Sequence, residues 1–451
     1  MKKILFSFIV SVFKKENMPK WFFKCKLHFL CVGLSLPVFV AWMILSPLSF
    51  RFQDVGMAWK SVAQVTGLLG ILWFSFALIL SARFRVCEKW FGPLDQMYLF
   101  HRKLGEVSFL FLLIHPIGAL ISSIIMRPDR IADLIIPGRS LPVTWGMLSS
   151  FLMIILLGVT LYFQLKYHVW KQTHQWMGLA FFLGSLHAFF IGSDLSRSVF
   201  LRVYILGFAV FALGCFVAYS IFNRWSVRQT LYQVNKINRL SKDVMNIQMK
   251  PKGKSIHFFP GQFIFVRFFL NGTWGESHPF SLTSNPKDLF LSLSFKVLGD
   301  DTSDLYNKMT VGTEVKVEGP FGSFGKQCDK AERLICIAGG IGVTPVLSMF
   351  SLLSSTQCAD VYYSVKQEQE AVHLPELFRL QSLCPKSRII PWVTERDGYL
   401  TAEAIDTSSR LTPFDHIYLC GPVEMMENLQ NQLKKRGVSS DRIHFESFAF
   451  R

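Results

Sequence analysis

The sequence predicts a multi-domain chain: a six-helix transmembrane bundle, then an antiparallel β-barrel, then a doubly wound α/β domain. Three observations predict it. The 451 residues are 51% hydrophobic and 15% aromatic, more than a soluble protein usually carries. Six apolar stretches, roughly 27–49, 61–82, 104–126, 145–167, 173–192 and 199–222, are each long enough to cross a bilayer. Beyond 225 the long runs give way to short alternating ones, and from about 331 to apolar strands alternating with helical patterns.

The first element, MKKILFSFIVSVFKK, has the basic start of a signal peptide, but KKENMPK follows it in place of a small-residue cleavage site. Residues 1–26 therefore read as an amphipathic segment on the cytoplasmic membrane face. They hold seven lysines, and the 83–103 loop holds Arg83, Arg85, Lys89, Arg102 and Lys103, against Arg51 and Lys60 alone in the 51–60 loop. The positive-inside rule then puts both termini in the cytoplasm. The net charge of +17 reads as this topology signal, because the basic residues are interspersed with apolar runs and form no nucleic-acid-binding stripe. Arg51 reads as an arginine snorkelling to the outer interface, with attraction of an anion or a ferric chelate as the alternative. The nine cysteines form no CxxC pair, which argues against a zinc or iron–sulfur site and fits free thiols.

Histidines inside apolar spans are costly and mark function. His101 and His115 bracket the third span, and His174 and His187 the fifth. These separations correspond to about 21 Å and 19–20 Å along a helix, enough for two ligand layers in one bilayer. Both spans run outward, so His101 pairs with His174 near the inner face and His115 with His187 near the outer. Imidazole is a good iron ligand, and a bis-histidine haem has no open axial site, so it passes single electrons. The fourteen-residue step in the third span returns to within about 40° of the same helix face, whereas the thirteen-residue step misses by about 140°. The fifth span is therefore expected to bend, at Gly178 or Gly184. His168 rivals His174 as inner ligand but reads as a loop residue.

HRKLGEVSFLFLLIH and WKQTHQWMGLAFFLGSLH resemble the third and fifth helices of the ferric-reductase-like transmembrane domain shared by NADPH oxidases and ferric reductases. The resemblance implies two stacked b-type haems held by His101, His115, His174 and His187.

SHPFSLTS, after FFPGQFIFV, is similar to the flavin signature of ferredoxin-reductase-type barrels. Phe280 can stack on an isoalloxazine and the Ser281 hydroxyl can bond its N5 region, with His278 toward the pyrophosphate. Pro279, Thr283 and Ser284 complete the string, and Pro260, Gly261 and Gln262 shape the entrance. KVLGDDT, with Lys296, Gly299 and Thr302, resembles the second flavin-phosphate loop, and EGPFGSF the closing turn. In AGGIGVTP, Gly339, Gly340 and Gly342 let the backbone approach a pyrophosphate, and Thr344 and Pro345 open a helix. Cys420, Gly421 and Pro422 resemble the motif beside the nicotinamide ring, although Cys420 also reads as a buried small hydrophobe. Glu446, Phe448 and Phe450 stand in the tail HFESFAFR, where terminal aromatics of this superfamily cover the flavin; with Arg451 after them, either phenylalanine can take that role. Ser364 and Lys366 follow the second strand, where a basic residue binds a 2′-phosphate. Lysine offers a point charge and no fork, so NADPH is preferred with NADH possible.

The resemblance divides the chain into the N-terminal segment, a haem-binding bundle at 27–225, an FAD-binding barrel at 226–328 and an NAD(P)-binding domain at 329–451. It implies a multi-pass cell-membrane flavocytochrome that moves electrons from NAD(P)H through FAD and two haems to O2, giving superoxide, or to ferric iron. Superoxide-forming relatives carry another histidine about one turn past the outer ligand, where this chain has Ala119. The alternatives are an electron-delivery subunit serving a periplasmic protein partner or quinone, and a non-catalytic haem-binding membrane protein. Intact flavin and nicotinamide motifs argue against the last.

Overall fold

The computed structural model describes residues 20–446 except 83, 85–86, 88–89, 92–93, 164, 166, 222–228, 327, 329–330, 355 and 413. The amphipathic segment before Lys20, the basic residues Arg83, Arg85 and Lys89, and the terminal Phe448 and Phe450 lie outside them. The chain divides into two compact units, Met1–Gly92 with Gln96–Ser226, and Pro93–Asp95 with Val227–Arg451.

The first unit is helical: α1 (Lys20–Leu45), α2 (Val55–Ser81), α3 (Leu94–Met126), α4 (Leu141–Tyr162), α5 (Tyr167–Gln175), α6 (Met177–Phe190) and α7 (Val199–Phe216). Asp54 caps α2 by accepting from the Met57 amide at 2.8 Å, and Ser198 caps α7 by accepting from Leu201 at 3.2 Å. Among the described residues, Val55–Ser81, Met97–Met126, Leu141–Thr160 and Val199–Tyr219 are long and apolar enough to cross a membrane. The fifth expected span does not reach that length in one piece, because the helix breaks at Trp176. That break is the bend the histidine spacing calls for, and it lies two residues before Gly178. Gly178 serves packing: a Cβ there would meet the Phe216 ring at 2.2 Å. Leu110, Ile117, Ile124, Phe151 and Ile154 face outward, as side chains in lipid do.

Arg51 does not snorkel. It is 2% exposed, pairs with the equally buried Asp194 at 3.0 Å, donates to the Trp42 carbonyl at 2.6 Å and to Gln64 at 2.9 Å, and lies 3.9 Å over the Trp42 ring. A buried carboxylate about 140 positions downstream supplies the neutralising charge, while the nearby Asp54 is engaged as the cap of α2. His168, read as a loop residue, falls within helix α5.

The second unit begins with a curled antiparallel sheet in the order β4-β3-β7-β1-β2-β6, with β5 paired to β3. Its strands are β1 (Gln229–Arg239), β2 (Val244–Pro251), β3 (Phe263–Leu270), β4 (Thr273–Trp274), β5 (His278–Ser281), β6 (Leu291–Lys296) and β7 (Glu314–Phe321). β7 alternates half-buried and buried residues along its length, so one face packs on Ile264, Val266 and Leu293 while the other meets solvent. A bridge between Leu282 and Leu293 brings the end of β5 to β6. Helix α8 (Asp300–Lys308) follows β6.

The second sheet is parallel, in the order β10-β9-β8-β11-β12. Its strands are β8 (Arg333–Gly339), β9 (Cys358–Val365), β10 (Arg388–Val393), β11 (His416–Cys420) and β12 (Ile443–Glu446), and its helices α9 (Thr344–Phe350), α10 (Leu374–Leu383) and α11 (Val423–Lys435) cover both faces. Along β8, Leu334, Cys336 and Ala338 enter one core and Ile335 and Ile337 the other, which is why LICIA, after Arg333, is apolar throughout. The strand order reverses between β8 and β11, making a crevice past their carboxyl ends.

Candidate cofactor and electron-transfer sites

The break at Trp176 lets α5 and α6 present His174 and His187 toward α3. The rings of His101 and His174 have centroids 6.0 Å apart, and those of His115 and His187 5.9 Å apart. Two imidazoles that share one ion at about 2 Å per nitrogen have centroids roughly 6 Å apart, so both pairs fit axial ligation of one metal. His101 Nδ1 donates to the Ala77 carbonyl at 2.8 Å, His115 Nδ1 to Ala63 at 2.7 Å and His187 Nδ1 to Pro142 at 2.9 Å. A carbonyl only accepts, so the ring proton sits on Nδ1 and Nε2 is left as the donor to a metal. Among the described residues no cluster of three or more His, Cys, Asp or Glu side chains occurs.

Space is arranged around these rings. A Cβ on Gly67 would lie 2.7 Å from His115 Nδ1, and one on Gly146 2.8 Å from His187 Nδ1. A mostly apolar cavity of about 760 Å³ opens beside the outer pair, lined by Leu112, Ala119, Phe181 and, at its polar edge, Gln64 and Asp194. That volume suits a macrocycle held by its faces. Sequence reasoning missed Gly67 and Gly146, since glycine is common in membrane helices and carries no mark of what it faces.

In the curled sheet, His278, Pro279, Phe280 and Ser281 form β5 itself. Phe280 is half-buried against Phe295, with centroids 5.5 Å apart. The Ser281 hydroxyl is buried without a hydrogen-bond partner, an orphan that a flavin ring atom would satisfy. Gln262 holds the entrance turn by donating to the Gly322 carbonyl at 2.9 Å and accepting from the Phe259 amide at 2.8 Å. Gly261, at φ +74°, approaches Gly325 so closely that a Cβ would sit 2.8 Å from its amide. Ser284 accepts from the Ser292 amide at 3.1 Å, its carbonyl takes the Ser348 hydroxyl at 2.9 Å, and the Thr283 amide bonds Ser292 at 2.8 Å. The loop of Lys296, Gly299 and Thr302 is held by its own polar contacts. Thr302 Oγ1 caps the turn by accepting from the Leu298 and Gly299 amides, Lys296 lies 3.3 Å from Asp243, and His278 faces Asp301 at 3.7 Å.

Past β8, Gly340 takes φ +53° with open space where a Cβ would stand, and Thr344 Oγ1 donates to the Ile341 carbonyl at 3.0 Å. A 3-10 turn, Gly340–Val343, precedes Pro345 and the short helix α9. Gly342 abuts the Cys420–Gly421 peptide, where a Cβ would be 2.4 Å from the Cys420 oxygen, and Gly339 abuts Pro422 at 2.7 Å. The AGGIG and CGP strings thus form one wall. Cys420 is fully buried, and desolvation together with the Glu446 carboxylate pushes its thiol pKa well up, so it is a neutral thiol at physiological pH. Glu446 pairs in register with Cys420 and reaches the closing turn, 3.1 Å from where a Gly322 Cβ would lie. Ser364 is buried at the end of β9 opposite Gly339, and Lys366 is exposed beyond it. Next to Lys366, a polar crevice of about 680 Å³ is lined by Gln367, Glu368, Glu395 and Arg396, the last held bidentately by Asp397.

In chain order, apolar membrane-length helices are followed by a curled antiparallel sheet and then a parallel α/β sheet. Residues 66–185 match the family "Ferric reductase like transmembrane component", 229–331 "FAD-binding domain" and 336–431 "Oxidoreductase NAD-binding domain". The chain has the architecture of the ferric-reductase-like and NADPH oxidase family, with ferredoxin-reductase-type FAD and NAD(P) domains. It is 26% identical over 249 residues to a flavohemoprotein of Bacillus cereus, covering 50% of this chain and 61% of that one. It is 27% identical over 235 residues to the reductase component of propane 2-monooxygenase from Mycolicibacterium smegmatis, covering 48% of this chain and 66% of that one. The chain thus spans about three-fifths to two-thirds of the length of these relatives. A flavohemoglobin structure from Malassezia yamatoensis aligns with 90% of this chain and all of its own, at 17% identity and a TM-score of 0.48.

Proposed function

We propose that this chain carries electrons from cytosolic NAD(P)H, through FAD and two bis-histidine b-type haems, to an acceptor on the outer side of a cell membrane: O2, giving superoxide, or ferric iron. The observation that carries the reading is the two facing imidazole pairs, each at metal-bridging separation, with three of four rings anchored through Nδ1. The reading takes α1 and the bent α5–α6 as spans beside the four long apolar helices, with both termini cytoplasmic, and divides the chain near 226 and 329.

Bound FAD accepts a hydride and gives up single electrons, and bound haem carries them one at a time. The residues have simpler duties. Phe280 would pack on the isoalloxazine while Ser281 donates to its N5 region, and His278, Pro279, Thr283, Ser284, Lys296, Gly299 and Thr302 would hold the ribityl and phosphate groups. Gly339, Gly340, Gly342, Thr344 and Pro345 let a dinucleotide pyrophosphate approach the backbone. Cys420, Gly421, Pro422 and Glu446 would border the nicotinamide, the neutral thiol of Cys420 serving as a small contact, and Phe448 or Phe450 would cover the flavin between turnovers. Ser364 and Lys366 favour NADPH, and the neighbouring Glu368 and Glu395 accommodate NADH. No side chain has to move a proton on substrate.

Ala119, in the lining of the outer cavity, favours a second reading in which the chain delivers electrons to a periplasmic protein partner or a quinone. Purified protein separates the two. Partner-independent NADPH consumption with superoxide-dismutase-sensitive cytochrome c reduction is expected of an oxidase, and its absence eliminates that version. His115→Ala or His187→Ala should remove one haem of two while flavin reduction persists, and unchanged haem content would defeat the ligand assignment.

A further inference from the structure

The four paired imidazoles are not held alike. Those of His101, His115 and His187 donate from Nδ1 to main-chain carbonyls on other helices. His174 has no such anchor: its Nδ1 is buried without a hydrogen-bond partner. Its ring instead lies against Trp170, with centroids 5.3 Å apart and planes at 12°. The two residues stand four apart in α5, so their side chains share one face of that helix.

We propose that Trp170 is the positioning residue of His174, and that its indole face sets the electron-donor strength of the inner histidine pair. This rests on the haem reading above. A carbonyl that accepts Nδ1–H both fixes ring orientation and raises the basicity of the ligand. The outer pair has two such carbonyls and the inner pair one. The indole stack replaces the missing constraint, since a parallel ring contact restricts the torsions that would turn His174 away. It also has an electronic effect. The face of indole is the negative part of its quadrupole and attracts positive charge. An imidazole bound to ferric iron carries more positive charge than one bound to ferrous iron, so the stack stabilises the oxidised form. Removing it should raise the midpoint potential of the inner haem and leave the outer one in place.

The test is reductive titration of full-length protein in detergent or nanodiscs, followed by haem absorbance. The midpoint that persists in His187→Ala is that of the inner haem. Trp170→Leu is expected to shift that midpoint upward, by an amount equal to about a two- to fivefold change in the ferric-to-ferrous equilibrium, with Trp170→Phe between it and wild type. An inner midpoint unchanged in Trp170→Leu overturns the proposal, as does an equal shift of both haems, which would report a general loosening of the bundle. Should Trp170→Leu lose the inner haem, Trp170→Phe decides: retention with an upward shift supports the proposal, and loss or a wild-type midpoint overturns it. Failure of the underlying reading looks different. His174→Ala would then keep both haems, or the wild-type chain would bind none.

Discussion

Arg51 and Asp194 show at the residue scale how a charge survives among apolar helices. Each is 2% exposed, and the guanidinium also satisfies the Trp42 carbonyl and Gln64. Removing Arg51 leaves the buried Asp194 carboxylate with only the largely exposed Arg197 at 3.4 Å, and breaking a buried pair costs about 3–5 kcal/mol. Arg51→Leu should therefore lower the thermal midpoint of the purified protein sharply, and Arg51→Leu with Asp194→Leu should recover much of the loss. Equal midpoints for the single and wild-type proteins would contradict this account. Gly342 poses the opposite problem, too little room. A Cβ there meets the main-chain oxygen of Cys420 at 2.4 Å, and backbone cannot rotate away as a side-chain tip can. Gly342→Ala is expected to slow NADPH-dependent flavin reduction roughly tenfold or more, the consequence of about 1.4 kcal/mol of lost binding or alignment. FAD content should stay at the wild-type level, and a stopped-flow rate equal to wild type would show that the wall between β8 and β11 can yield.

The telling element is the broken helix α5–α6. Thirteen residues separate His174 from His187, a step that a straight helix would leave about 140° out of register. The turn at Trp176, where the Trp176 amide bonds Thr173 at 3.1 Å, absorbs the difference and allows both rings to meet partners on α3. An alanine inserted between Trp176 and Met177 would rotate α6 by about 100° and advance it about 1.5 Å. His187 would then leave the Pro142 carbonyl and the clearance given by Gly146. The expected result is one haem per chain in a pyridine haemochrome assay, with the inner spectrum retained. Two haems would mean that α6 slips freely, contrary to its tight fit against α4. The sequence exposed the misfit between thirteen and fourteen residues, but placed the bend at glycines. Glycine marks where a helix can bend, whereas the observed turn falls at Trp176, whose own side chain is exposed and whose amide closes on the Thr173 carbonyl.

At the scale of the whole molecule, the parallel-sheet domain carries a built-in acid weakness. His373 is 4% exposed, its Nε2 has no partner, and burial lowers its pKa to about 4 from 6.5. Above pH 6.5 the ring is neutral in both folded and unfolded chains and the domain keeps its full stability. Between about pH 6.5 and 4 the unfolded chain binds the proton and the folded one does not, so stability falls as pH is lowered, by up to roughly 3 kcal/mol. His373→Leu should flatten that decline, measured as the fall in thermal midpoint between pH 7.5 and pH 5. An identical decline in the variant would locate the acid sensitivity elsewhere.

Local order is what the sequence by itself determined. A twenty-residue apolar run, a period-two strand, a glycine-rich turn after a strand and a histidine repeat at helix spacing are all properties of neighbours in the chain, set by backbone geometry and burial. They were enough to indicate the membrane helices, the two sheets and the paired histidines. The tertiary structure alone decided which carbonyl orients each ring, and that Trp170 stands in for one. His101, His115 and His187 find their carbonyls 24, 52 and 45 positions away. Arg51 finds its carboxylate 143 positions away. Contacts across such distances exist only once helices pack, because a buried donor must take whichever acceptor the neighbouring helix brings within reach.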